Sequence, residues 1–237
     1  MWYSFLKHVA IGPLARLYLG VRWQGRENLP RRGPYVVAAN HLGYGDPVAL
    51  SLGVPGKVTY VTKRKYYSYG GIGGRALAWF LSSIGQVPID PETARTADPA
   101  LATASRILGE GGVVGIFPEG TRSPDGRLYR GRTGVARLAI PLGVPVVPVG
   151  ITGTHELRKP GRGWRPARVR VNLGAPIDPA PWRDRAQDPQ AWREFTEVVM
   201  TQIAQLSGQE IAGRYATAAE VDARDGRATP PQTPAAS

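Results

Sequence analysis

The 237-residue sequence contains no cysteine. That excludes disulfides, thiolate metal sites and a cysteine nucleophile, and it agrees with a reducing compartment. Histidine is scarce as well, with only His8, His41 and His155, too scattered to suggest a structural or catalytic zinc site. No G-x-S-x-G turn is present, so no serine nucleophile announces itself. The start of the chain interleaves aromatic and charged residues and lacks the compact apolar region of a cleavable signal peptide. The uncharged stretch 138–154 holds three prolines and three glycines, a content that rules out a membrane-spanning helix there. Nucleic-acid signatures are missing too: no RNP-type aromatic strand, no finger spacing and no helix-turn-helix.

What is present fits a folded domain, with 42% hydrophobic and 20% charged residues in a length that can bury a substantial core. Acidic residues number 18 against 30 Lys and Arg, a net charge of +12. The excess is clustered: residues 1–32 carry +5, 57–75 carry +5 without an acid, 120–137 carry +4, and 155–170 carry +5. Basic segments spaced in this way suggest an anionic partner such as phospholipid head groups, a phosphorylated substrate or nucleic acid; a solvated basic surface is the plainer alternative.

Along the chain, residues 2–23 place Trp2, Phe5, Leu6, Val9, Leu14, Leu17, Tyr18, Val21 and Trp23 near helical spacing, with Gly12-Pro13 as a break. The segment is too charged to span a bilayer. It fits a helix lying in the membrane interface or one packed on a core, and its aromatic and basic content favours the membrane. Residues 34–39 form a short buried strand ending at Asn40-His41, and 56–62 a second β-rich run. Residues 75–84 suggest a helix and 85–89 a strand; 99–110 is an amphipathic helix through Leu101, Ala104, Ile107 and Leu108. Residues 112–117 are another buried strand, 131–140 a helix, 145–151 a strand with edge-type prolines, 169–173 a strand, and 189–206 a closing helix. The alternation predicts an α/β fold with a single mixed β-sheet flanked by helices, preceded by the amphipathic membrane-docking segment. The implied division is 1–24 for that segment, 25–212 for the α/β domain and 213–237 for a disordered tail rich in Ala, Thr and Pro.

Two motifs carry chemistry. NHLGYGDP at 40–47 sets His41 five residues before Asp46, and FPEGTRS at 117–123 puts Arg122 on a Gly-Thr turn. A histidine whose ring nitrogen is held by a carboxylate is a ready general base, because the carboxylate fixes the tautomer and stabilises the imidazolium. Lacking a protein nucleophile beside it, such a base would activate a hydroxyl or water brought by a substrate. Asp46 also suits an N-cap with Pro47 at the first helical position, and the two roles are compatible.

With both motifs in view, the chain resembles the glycerolipid acyltransferase family, and within it the bacterial 1-acylglycerol-3-phosphate acyltransferases. The resemblance runs from about Gly25 to Ile177 and rests on four blocks in order: NHLGYGDP, the basic stretch through Lys63 ending at QVPID, FPEGTRS, and VPVVPVGITG. It implies direct acyl transfer from acyl-CoA or acyl carrier protein to a glycerol-phosphate hydroxyl, giving phosphatidic acid without an acyl-enzyme. On that pattern His41 takes the hydroxyl proton while Asp46 orients its ring. Arg122 grips the acceptor phosphate, Glu119 anchors its loop, and Gly120 with Thr121 lets the backbone approach the ligand. Asn40 sets the loop or donates to a developing oxyanion. No metal and no tightly bound cofactor is implied; the partners are lysophosphatidic acid, the acyl donor and an anionic membrane surface, at the cytoplasmic face of the cell membrane. Two positions depart from the family: Gly43 stands where Ser is frequent, and Asp90-Pro91 follows Ile89 where an Arg often closes the second block. Lys63, Arg64 or Arg130 would then supply that charge. Acylation of a different lyso-lipid, hydrolysis by His41-activated water, and non-catalytic binding of anionic lipid are the competing readings.

Overall fold

The computed structural model describes residues 11–63, 86–89, 99–159 and 163–224, together with Lys7, Gly71 and Arg75. Helix α1 (Ile11–Leu19) and strand β1 (Arg22–Gln24) lead into β2 (Tyr35–Ala39), α2 (Asp46–Gly53), β3 (Val58–Lys63) and β4 (Gln86–Ile89). Then follow α3 (Pro99–Gly109), β5 (Val113–Ile116), α4 (Gly134–Leu142) and β6 (Val146–Thr152). A small ribbon of β7 (Arg158–Lys159) and β8 (Gly163–Trp164) precedes β9 (Arg170–Leu173), α5 (Pro189–Ser207) and α6 (Ala218–Arg224).

Among the described residues, seven strands make one sheet in the order β1-β9-β6-β2-β5-β3-β4. Neighbours are parallel except β6 and β9, which run antiparallel. The fold is therefore α/β with a mixed sheet, as the alternation predicts. All five residues of β2 are buried, because both faces of the sheet are covered. Tyr35, Val37 and Ala39 pack with Ala49 and Leu50 of α2, while Val36 and Ala38 pack with Leu108 of α3, Leu138 of α4 and Phe195 of α5. A continuous apolar run, rather than an alternating one, is what such a central parallel strand requires.

Helix α5 is sealed at both ends by its own sequence. The Asp188 side chain accepts from Gln190 N–H, Pro189 sits in the first turn, and Gly208 closes the helix with a left-handed φ of 69°. It lies close on β6: a Cβ on Gly150 would come within 2.3 Å of the Leu206 carbonyl carbon.

Several elements differ from the sequence reading. Residues 22–24, expected in the N-terminal helical segment, form edge strand β1 against β9. Trp23 packs over α2, donating to the Ala49 carbonyl at 3.2 Å, whereas Leu14, Leu17 and Tyr18 of α1 point outward. Helix α1 starts at Ile11, so Pro13 falls in its first turn, where the missing N–H has no intrahelical acceptor to lose. Strand β6 is interior, not an edge. Val146 N–H donates to the Ile177 carbonyl and Gly174 N–H to the Pro148 carbonyl. By alternation, the nitrogen of Pro148 faces the side where β9 has ended, so the proline interrupts no ladder bond to β2. Helix α4 begins three residues later than expected, because Arg132 N–H is drawn to the Pro118 carbonyl at 2.7 Å. Residues 213–224, assigned to a disordered tail, contain α6 and bury Ala216 and Val221. The helix expected at 75–84 apart from Arg75, the residues before Ile11 other than Lys7, and residues 225–237 lie outside the described residues.

Gly150→Ala should destabilise the fold by about 1–3 kcal/mol through overpacking of α5 on β6. Denaturant unfolding of the two proteins measures this directly; an unchanged midpoint would contradict the close approach.

Candidate active site

Strands β2 and β5 are parallel neighbours with Ala38 opposite Ile116. The two chains that leave their carboxyl ends therefore run side by side, one carrying residues 40–46 and the other 117–123. In open α/β sheets this edge is where ligands are bound.

His41 Nδ1 lies 2.7 Å from Asp46 Oδ2. The same oxygen accepts the N–H of Leu42 at 2.6 Å and of Gly43 at 2.8 Å. Asp46 is fully buried, while the His41 side chain is 20% exposed. A carboxylate acceptor in this position takes Nδ1 as an N–H donor and leaves the lone pair on Nε2. Asp46 is not the N-cap of α2: Gly45 occupies that place, Asp46 is the first helical residue, and no side-chain capping bond forms. The three loop donors converge on Oδ2 instead, and Oδ1 is buried without a hydrogen-bond partner among the described residues.

The second loop holds His41 by three further contacts. Phe117 stacks on the imidazole, with ring centroids 4.2 Å apart at 19°. Glu119 Oε1 accepts the His41 N–H at 2.9 Å, and Oε2 accepts the Tyr129 N–H at 2.9 Å. The His41 carbonyl in turn accepts the Ser123 N–H at 2.7 Å. Glu119 is buried, and its pKa is pushed up to about 7 by loss of solvent, against the two backbone donors that favour its charged form. Gly120 makes the turn: its φ is 73°, its N–H returns to the Phe117 carbonyl at 2.9 Å, and a Cβ there would meet Arg132 Nε at 2.9 Å. Partly exposed Thr121 follows, and then buried Arg122, whose guanidinium carbon lies 4.0 Å over the Tyr44 ring. Arg122 is thus joined to the first loop through an aromatic face.

The site residues expected from sequence do not all meet. His41, Asp46, Glu119, Gly120, Thr121 and Arg122 come together at this edge. Asn40 is also here, but its amide is committed: Nδ2 donates to the Ile151 carbonyl at 2.8 Å and to Gln209 Oε1 at 2.7 Å, and Oδ1 accepts the Ile151 N–H at 2.7 Å. This supports the loop-setting role rather than donation to an oxyanion. Arg130 points to α5, 3.5 Å from Glu197 and over the Tyr215 ring. For Lys63 only the backbone is described, at the end of β3 opposite Ile89. Gly43 has a physical reason in this chain: a Cβ there would sit 2.7 Å from the Thr154 carbonyl oxygen. Asp90 and Pro91 lie outside the described residues.

Phe117, Ser123, Tyr44 and Gln209 were missed by the sequence reading. The first three lie inside the two motifs, and their chemistry as ring stack, backbone donor and cation–π face carries no pattern of its own. Gln209 is 169 residues from its partner Asn40 and has no local signal. Among the described residues, no cluster of three or more His, Asp or Glu could hold a metal ion.

Sheet and site together define an α/β enzyme, and comparison with known proteins supplies the family. A family model described as "Acyltransferase" matches residues 20–152, from β1 through β6 with both loops. The chain belongs to this acyltransferase family and is an acyltransferase. It is 31% identical over 194 residues to the 1-acyl-sn-glycerol-3-phosphate acyltransferase of Bacillus subtilis, covering 80% of this chain and 89% of that one. Against the chloroplastic 1-acyl-sn-glycerol-3-phosphate acyltransferase BAT2 of Brassica napus it is 36% identical over 140 residues, 58% of this chain but only 39% of the longer relative. The crystal structure of the 1-acyl-sn-glycerophosphate acyltransferase PlsC from Thermotoga maritima superposes with a TM-score of 0.62 at 27% identity, covering 88% of this chain and 82% of that one.

Because the Glu119 pKa in the folded protein, about 7, exceeds its ordinary 4.5, its contribution to stability is full below about pH 4.5. It falls as pH rises towards 7 and levels off above that. Glu119→Gln should remove this slope. It should also cost about 1–3 kcal/mol, since an amide NH₂ would face one of the two backbone donors. Unfolding free energies measured from pH 4 to 8 check both; an unaltered slope in the variant would contradict the assignment.

Proposed function

We propose that this enzyme transfers a fatty acyl group from acyl-CoA or acyl carrier protein to the free hydroxyl of 1-acyl-glycerol-3-phosphate, producing phosphatidic acid. The observation that carries the reading is the 2.7 Å contact between His41 Nδ1 and the buried Asp46, which aims the basic Nε2 away from the carboxylate. His41 Nε2 takes the proton as the acceptor hydroxyl oxygen attacks the thioester carbonyl. The new C–O bond forms, the C–S bond breaks, and the proton passes to the departing thiolate. A neutral alcohol is a poor nucleophile at neutral pH, so a positioned base contributes about 10²–10⁴-fold.

Arg122 binds the acceptor phosphate as a charge-assisted donor. Its burial, with Tyr44 beneath the guanidinium, favours a fixed orientation over a mobile surface charge. The names of the bacterial and plastid relatives support the same acceptor.

The enzyme works at a membrane surface, on the cytoplasmic face. Leu14 and Leu17 are 69% and 82% exposed on α1, an apolar face beside basic residues that suits the interface. Among the described residues, no helix is long and apolar enough to cross a membrane.

Release of CoA from a long-chain acyl-CoA, dependent on added lysophosphatidic acid in vesicles, is the direct assay. His41→Ala should lower it by at least about 100-fold, and acceptor-dependent release that survives this change would sink the role of His41. Arg122→Ala should raise the apparent KM for lysophosphatidic acid far more than that for acyl-CoA, and equal effects on both substrates would refute phosphate binding there.

A further inference from the structure

The segment after α5 returns to the two loops of the site and ties them at two points. Residues 210–214 run along 128–130: Leu128 N–H donates to the Glu210 carbonyl at 2.8 Å, Ala212 N–H to the Leu128 carbonyl at 2.9 Å, and Arg130 N–H to the Arg214 carbonyl at 2.8 Å. At its start, Gln209 accepts from Asn40 Nδ2 at 2.7 Å and donates from Nε2 to the Gly126 carbonyl at 2.6 Å. That is the first tie.

Helix α6 makes the second. It opens on a reciprocal cap, in which Thr217 N–H donates to the Glu220 carboxylate at 2.9 Å and Glu220 N–H donates to Thr217 Oγ1 at 3.3 Å. Val221 is buried beneath it, and the helix ends on Arg224. Both terminal nitrogens of that guanidinium donate to the Leu42 carbonyl at 3.2 Å, and one of them also donates to the Ser123 carbonyl. Leu42 follows His41, and Ser123 follows Arg122. His41 therefore sits between two residues tied across by this segment, Asn40 to Gly126 just past the second loop and Leu42 to Ser123 within it.

We propose that residues 209–224 form a strap that keeps His41 and Arg122 in register, with Arg224 as its positioning residue. The rigid, planar fork of the guanidinium reaches two carbonyls on different loops at once, and the compact ammonium of a lysine does so less well. Loss of the fork lets the loops separate, and a displacement of about 1 Å at a reacting group costs about 100-fold in rate. The consequence for rate rests on the acyl-transfer reading above; the consequence for loop order does not.

The test uses the full-length chain with Arg224→Ala and Arg224→Lys. Hydrogen exchange over residues 38–46 and 117–124 is read first, because it needs no turnover. Arg224→Ala should raise exchange in both loops while α5 stays protected, and Arg224→Lys should lie between it and the wild type. In the acyl-CoA and lysophosphatidic acid assay, kcat should then fall by roughly 10- to 100-fold for Arg224→Ala, with partial recovery in Arg224→Lys and little change in melting temperature. If Arg224→Ala does not fold, Arg224→Lys and Gln209→Ala carry the same comparison. Unchanged exchange in the two loops overturns the strap. Looser loops with an unchanged kcat overturn the positioning role. A wild type that turns over no substrate counts against the acyl-transfer reading, and the exchange result still decides the strap.

Discussion

Oδ2 of Asp46 accepts from the His41 ring and from two successive backbone N–H groups, and it does so where no solvent reaches it. Those bonds fold residues 41–46 into a loop closed on its own carboxylate. The ring orientation, the entry into α2 and the surface offered to the second loop all follow from this closure. Removing the carboxylate would leave two buried N–H groups and a ring nitrogen to find new partners, a heavy cost in a dry site. The loop is an acceptor-centred structure first, and its proposed chemistry is a consequence of that.

A second buried acid does the matching work on the other loop. Glu119 spends one oxygen on His41 and the other on Tyr129, so it ties the turn at 117–120 both to the first loop and to the chain that precedes α4. The two carboxyl groups serve different ends. Asp46 meets a titratable ring, and Glu119 meets only backbone donors, with a pKa raised by its burial. This separation fits a division of labour in which Asp46 supports proton transfer and Glu119 supports geometry.

The parts that were legible in the sequence are those whose cause is local. Tyr35–Ala39 is apolar because it is covered on both faces. The closing helix expected at 189–206 is α5, whose ends are set by its own neighbours Asp188 and Gly208, and His41 and Asp46 meet within one short loop. What was not legible depends on distant pairing. Asn40 looked equally able to donate to a ligand, and only its match with Ile151, 111 residues away, commits its amide to the sheet. Pro148 looked like an edge residue because the sequence does not say where β9 ends. Residues 213–224 have the composition of a tail, and their order comes from carbonyls of the motif loops, with Arg224 182 residues from Leu42. Arg130 is a candidate for the charge missing from the second block, and its place 3.5 Å from Glu197, on a helix far along the chain, is set by pairing that the local sequence does not show.

The central claim is that Asp46 fixes the tautomer of His41 so that Nε2 is the basic nitrogen. Nitrogen-15 shifts of the His41 ring, recorded on the full-length protein with the imidazole neutral, test it most directly. The account predicts a protonated Nδ1 and an unprotonated Nε2, with that preference weakened in Asp46→Asn. A neutral ring carrying its proton mainly on Nε2 would contradict it.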